Sequence, residues 1–170
     1  MKNPFFPAFP EDASLWIYVA DRPLSPDEQS RLLERLQPFF AQWTAHGHRV
    51  RGEALMLHDR FLLVAGFVPD GELSGCGIDA SIQTVKEAFA ALSIGFLSTL
   101  EVLFRDVGGV IRSLPRPAFR ERVRSGAVTA ATTVFDPSIT SVQALREGGF
   151  EKPAGRSWHA KVFRIPEPVA

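Results

Sequence analysis

The only cysteine of the chain, Cys76, stands between Gly75 and Gly77 in Leu-Ser-Gly-Cys-Gly-Ile-Asp-Ala-Ser, residues 73–81. Glycines on both sides permit close backbone approach. Asp79, three residues on, can start a helix, whose free N–H groups and positive dipole end favour a thiolate. That chemistry is nucleophilic or redox thiol chemistry, and it needs a base. His46, in Trp43-Thr-Ala-His-Gly-His48, can serve as base or imidazolium partner, with Asp79 or Ser74 as an orienting group. A plainer reading competes: Asp79 as an N-cap for the N–H groups of Ser81 or Ile82, and cysteine as a small buried hydrophobe.

A metal could draw on Cys76, His46, His48, Asp79 or His159, but no CxxC or HxxxH pair exists, so no metal and no other cofactor is expected. Gly75-Cys-Gly77-Ile-Asp-Ala80 matches a short dinucleotide pattern. Its glycines begin seven residues after the preceding strand, outside any parallel βαβ unit. Gly66-Phe-Val-Pro-Asp-Gly71-Glu72-Leu73 has the glycine spacing of a phosphate-binding P-loop, with glutamate in place of its lysine and leucine in place of its hydroxyl. A negative charge there would repel triphosphate, so the chain is not expected to be an ATPase.

The elements that must position these residues read as follows. Residues 15–20 form an apolar, β-branched run with strand character. Ser25-Pro26-Asp27-Glu28 opens a helix whose stripe runs Leu32, Leu33, Leu36, Phe39, Phe40, Trp43, with a kink or break expected near Pro38 and an end by Gly47. Residues 50–57 and 61–68 are two strands whose three-residue connection forces an antiparallel hairpin. Ile82, Val85, Phe89 and Leu92 mark a second helix, and residues 99–104 another strand.

The order β-α-β-β-α-β predicts an α+β fold, a ferredoxin-like split β-α-β sandwich over residues 15–105. A Pro/Phe-rich arm, residues 1–14, precedes it. A small α/β appendage, residues 106–165, packs against it, and residues 166–170 are a tail. In such a sandwich the exits of the first helix and the third strand emerge at one end. That topology sets the Trp43–His48 corner beside the cysteine loop and predicts a pocket lined by Trp43, Ser74, Gly75, Gly77 and His48 around Cys76, with His159 joining it if the tail folds over.

Arg116, Arg120 and Arg124 recur at i, i+4 and i+8 on the appendage helix, one basic stripe. A solvated helix face explains such a stripe, and an RNA or acidic-protein contact is the functional alternative. Across all 170 residues, 19 basic side chains balance 19 acidic ones, so no global field draws the chain to nucleic acid, which is not expected as a partner, or to an anionic membrane. No apolar run approaches membrane-spanning length, and prolines interrupt the N-terminal segment where a signal peptide would need continuity. With a single cysteine, a cytoplasmic protein is expected.

Leu15-Trp-Ile-Tyr18, Gln42-Trp-Thr-Ala-His-Gly47, Ser74-Gly-Cys-Gly-Ile-Asp-Ala-Ser81 and Ser157-Trp-His159 together resemble a family of short uncharacterised bacterial proteins often labelled "ABC transporter ATPase". The resemblance runs from about residue 15 to residue 163. It implies a cytoplasmic protein with a shared pocket around these motifs. Serine commonly follows the cysteine in that pattern, whereas this chain has Gly77. Residues 110–135 are also similar to small GYF-type adaptor modules, which implies peptide binding by the appendage.

The expected function is a small-ligand or protein-binding regulatory module with its pocket at the Cys76/His46 end, self-associating through an edge strand. The alternatives are a cytosolic enzyme with Cys76 as nucleophile and His46 as base, and an RNA-associated protein using the Arg116/Arg120/Arg124 stripe.

Overall fold

The computed structural model describes residues 5–168. The fold is mixed α and β with antiparallel sheets, arranged as two compact units. The first takes the described part of Met1–Leu97 together with Ser138–Arg146, and the second takes Ser98–Pro137 with the described part of Glu147–Ala170.

In the first unit the apolar run becomes β1 (Ser14–Val19) and the capped stripe becomes α1 (Pro26–Gln42). Its start is a complete capping box: Glu28 N–H donates to Ser25 Oγ at 3.1 Å, and Ser25 N–H donates to Glu28 Oε2 at 2.9 Å. The helix runs on through Pro38 and stops at Gln42, short of the glycine expected to end it. The next residues form a miniature hairpin, β2 (Thr44–Ala45) and β3 (His48–Arg49). Its two-residue turn, His46-Gly47, has φ of 49° and 78°, the left-handed pair that tight hairpins use.

Strands β4 (Arg51–Leu57) and β5 (Phe61–Phe67) pair antiparallel, as the short connection requires, and β5 pairs antiparallel with β1 on its other side. The sheet order is β1-β5-β4. Leu62 and Val64 of the central strand join Leu32, Leu36, Phe40 and Trp43 of the first helical segment and Val85 and Phe89 of α2 (Gly75–Ala91) in one core. Both helices therefore share one face of the sheet.

The strand expected at residues 99–104 is absent from this sheet. The outer edge of β1 carries instead two isolated bridges: Ser14 to Ser141, beside Leu15 N–H donating to Thr140 O at 3.0 Å, and Ala20 to Phe96, with Leu97 N–H donating to Val19 O and Asp21 N–H donating to Gly95 O, each at 2.9 Å. The chain leaving α2 meets that edge at once and touches it for only a few residues. The strand itself, β6 (Glu101–Arg105), lies in the second unit.

That unit is a four-stranded antiparallel sheet of order β7-β6-β8-β9, with β7 (Ile111–Pro115), β8 (Thr133–Phe135) and β9 (Glu151–Pro153). The helices α3 (Arg116–Arg124) and α5 (Trp158–Phe163) bury Phe119, Val123 and Phe163 against Val102, Phe104 and Val134. Residues 138–146, expected in the appendage, return to the first unit, where α4 (Val142–Arg146) holds the N-terminal arm. Arg146 Nη2 donates to Phe6 O at 2.7 Å and Phe9 O at 2.9 Å, and Val142 N–H donates to Ala13 O at 3.0 Å.

Candidate functional site

Ser74, rather than Asp79, caps α2: its Oγ accepts from Gly77 N–H at 3.1 Å. Both residue types cap helices, but the cap sits five residues earlier, so the Gly-Cys-Gly segment is the first helical turn and not a loop. Asp79 is an exposed residue of the second turn. Cys76 is exposed at the second helical position, which removes the reading of it as a buried hydrophobe.

The corner that topology sets beside this turn is there. Trp43, 2% exposed, donates its indole N–H to Gly77 O at 2.9 Å. A Cβ on Gly77 would stand 3.2 Å from the Ala45 Cβ, so only glycine lets the helix start seat against β2 without a shift. Trp43, Ala45, Ser74 and Gly77 thus form one packed joint.

His46 occupies the turn of the β2–β3 hairpin with positive φ, is exposed, and shares no hydrogen bond with Cys76. Among the described residues no group of His, Cys, Asp and Glu could hold a metal ion. His48 is exposed on β3, near the glycine at position 71.

A cavity of about 720 Å³, open to solvent, lies alongside this joint. Its lining includes Asp12, Ser14, Phe67, Val68, Glu72 and Ile78. The exit of β5 and the first turn of α2 form one wall, and the N-terminal arm supplies the other. Two carboxylates beside apolar side chains suit a ligand with a cationic or hydrogen-bond-donating group on an apolar body. None of the residues expected to line a pocket, Trp43, Ser74, Gly75, Gly77, His48 and His159, is among those lining this cavity.

In the second unit His159 is 1% exposed and shares a 2.7 Å hydrogen bond between Nδ1 and Ser157 Oγ. Trp158 stacks on its imidazole with centroids 3.8 Å apart. Burial pushes His159 down to about 4, with Asp136 opposing and Lys152 and Arg116 reinforcing. The folded state therefore refuses a proton that the unfolded chain accepts below about pH 6.5. Stability is full above that value and falls as the pH drops toward 4, by roughly 3 kcal/mol at most. Thermal unfolding from pH 7 to pH 4 is expected to show this slope in the wild type and a shallower one in His159→Asn, whose amide can keep the bond to Ser157. Equal slopes would count against the buried histidine as its source.

One further group was not legible in the sequence. The Tyr18 hydroxyl is buried with no hydrogen-bond partner among the described residues, and desolvation pushes it up to about 12. Its ring lies 6.2 Å from that of Phe96, the residue that bridges to the edge of β1. No helix among the described residues is long and apolar enough to cross a membrane. No protein-family model, curated protein or solved structure matches the chain.

Proposed function

We propose that the first unit is a binding module whose ligand sits in the cavity beside the α2 start, within a ferredoxin-like sandwich whose fourth strand is reduced to the few residues along β1. The strand order β1-β5-β4 and the shared helix core support the fold reading. The observation that carries the functional reading is the open cavity of about 720 Å³ in which Asp12 and Glu72 stand beside Phe67, Val68 and Ile78. An exposed, unbridged thiol suits a cytoplasmic setting. A second copy would add through the outer edge of β4, which has no strand partner among the described residues.

The test uses phenethylamine, which joins an aromatic body to an ammonium group. Titration followed by amide NMR is expected to give saturable shifts confined to residues 11–14, 66–73 and 78, lost in the Asp12→Asn/Glu72→Gln double variant. Shifts that fail to saturate, or that survive the double variant, would overturn the assignment. The thiol alternative separates in the same preparation. Iodoacetamide is expected to modify Cys76 at equal rates in wild type and His46→Ala, and a slowing beyond about threefold would transfer the reading to Cys–His chemistry.

A further inference from the structure

The second unit carries ten Arg and Lys against seven Asp and Glu, and its ion pairs sort those charges by location. On the sheet side the cations are matched: Arg105 with Glu151 at 2.9 Å, Arg112 with Asp106 at 2.8 Å, and Lys152 with Asp136 at 3.7 Å. Arg124, the last of the sequence stripe, is held by Glu121. Six cations have no acidic partner among the described residues: Arg116, Arg120, Arg122, Arg156, Lys161 and Arg164, all exposed. Every one belongs to α3, to α5 or to the residues flanking α5.

These two helices are packed neighbours. Phe119 and Phe163 meet edge to face at 4.8 Å, and the Arg120 guanidinium reaches across to lie 5.7 Å above the Phe163 ring. On α5 the four-residue spacing puts His159 and Phe163 inside and leaves Trp158 and Val162 outside, 39% and 44% exposed. One face of the Trp158 indole rests on the His159 imidazole, and the exposed remainder is a flat aromatic surface among unpaired cations.

We propose that the α3/α5 face of the second unit binds single-stranded nucleic acid, with Trp158 as a stacking platform for a base and Arg116 and Arg120 contacting the phosphates beside it. Each nucleotide brings one ring and one anionic group, the pair of features this face offers, and stacking on an exposed aromatic ring beside guanidinium groups is tolerant of base identity. An acidic polypeptide would satisfy the cations and leave the indole face without a partner of its own shape. A bare arginine stripe is ordinary helix surface. The pairing pattern and the half-exposed tryptophan distinguish this one.

The experiment is fluorescence anisotropy of the full chain with labelled twelve-nucleotide oligouridylate and oligodeoxythymidylate. Binding is expected at 50 mM salt and should weaken roughly 20- to 50-fold at 200 mM, the response of three to four phosphate contacts on a single strand. Arg116→Ala/Arg120→Ala should flatten the salt dependence, lowering the log–log slope by about 1.4. Trp158→Leu should weaken binding roughly tenfold, while Trp158→Phe, which keeps a ring, retains most of it. Equal affinity of the two oligomers is expected for a stacking platform, and a strong preference for oligouridylate would restrict the ligand to RNA. No binding at 50 mM salt overturns the proposal. So does equal loss in both Trp158 variants, or displacement by poly-L-glutamate of matched length as effective as by unlabelled oligomer, which would assign the face to acidic polypeptides.

Discussion

Replacing Trp43 by alanine is expected to destabilise the protein by about 3–5 kcal/mol and to lower Tm by roughly 10 °C or more. The ring is 2% exposed and packs against Phe39, Phe40 and Trp16 at centroid distances of 5.1, 6.2 and 6.3 Å. It fills a notch made by two glycines that face each other across the β4–β5 pair, Gly52 and Gly66. A Cβ on Gly52 would stand 2.7 Å from the indole Cε3, and one on Gly66 2.7 Å from Cη2. The floor of that notch is the backbone of two strands, which cannot collapse into the volume the ring leaves. The truncation also strips Gly77 O of its indole donor, loosening the joint between the β2 corner and the first turn of α2.

The same geometry predicts a coupling between ring and glycine. Gly66→Ala should cost about 1–3 kcal/mol in the wild type, from overpacking against the indole, and close to nothing in a Trp43→Leu background. Chemical denaturation of the four proteins in that cycle measures the coupling. Additivity within about 0.5 kcal/mol would show that ring and glycine do not share one volume.

Trp43 also shows which parts of the site were legible in the sequence. The capping box at Ser25 and Glu28, the apolar run of β5 and the three-residue connection at 58–60 are local signals, and from them alone the first helix, the central strand and the hairpin follow. Helix and strand directions then place the Trp43 corner at the α2 end, and the indole–Gly77 hydrogen bond bears that step out. Local signals mislead where two residues can do one job. Ser74 and Asp79 are both N-cap types, and two glycines inside a first helical turn are poor helix formers, so propensity favours the later start. Packing reverses it, because Gly77 is where β2 needs the helix to be thin. The place of His46 is likewise set by geometry: the tight hairpin needs positive φ at its position, and the residue is exposed there. The sorting of charge in the second unit has no linear signature, since Arg105 finds Glu151 forty-six residues away.

In the second unit the largest loss is expected from Phe119→Ala, about 3–5 kcal/mol. Phe119 is fully buried and touches Phe104 of the sheet at 5.5 Å and Phe163 of α5 at 4.8 Å, with His159 at 6.3 Å. Neither helix has the length to persist alone, nine residues in α3 and six in α5, so their stability is borrowed from this contact with the sheet. The variant therefore carries a second readout that overall stability does not. If the ring holds α5 down, its loss admits water to His159, and the imidazole should titrate closer to its ordinary range, readable from the side-chain NMR signals of the still-folded fraction. Phe119→Leu, which keeps most of the volume, should cost far less and leave His159 low. A Phe119→Ala protein that loses stability while His159 remains near 4 would show that Ser157 and Trp158, not the aromatic contact with α3, keep α5 in place.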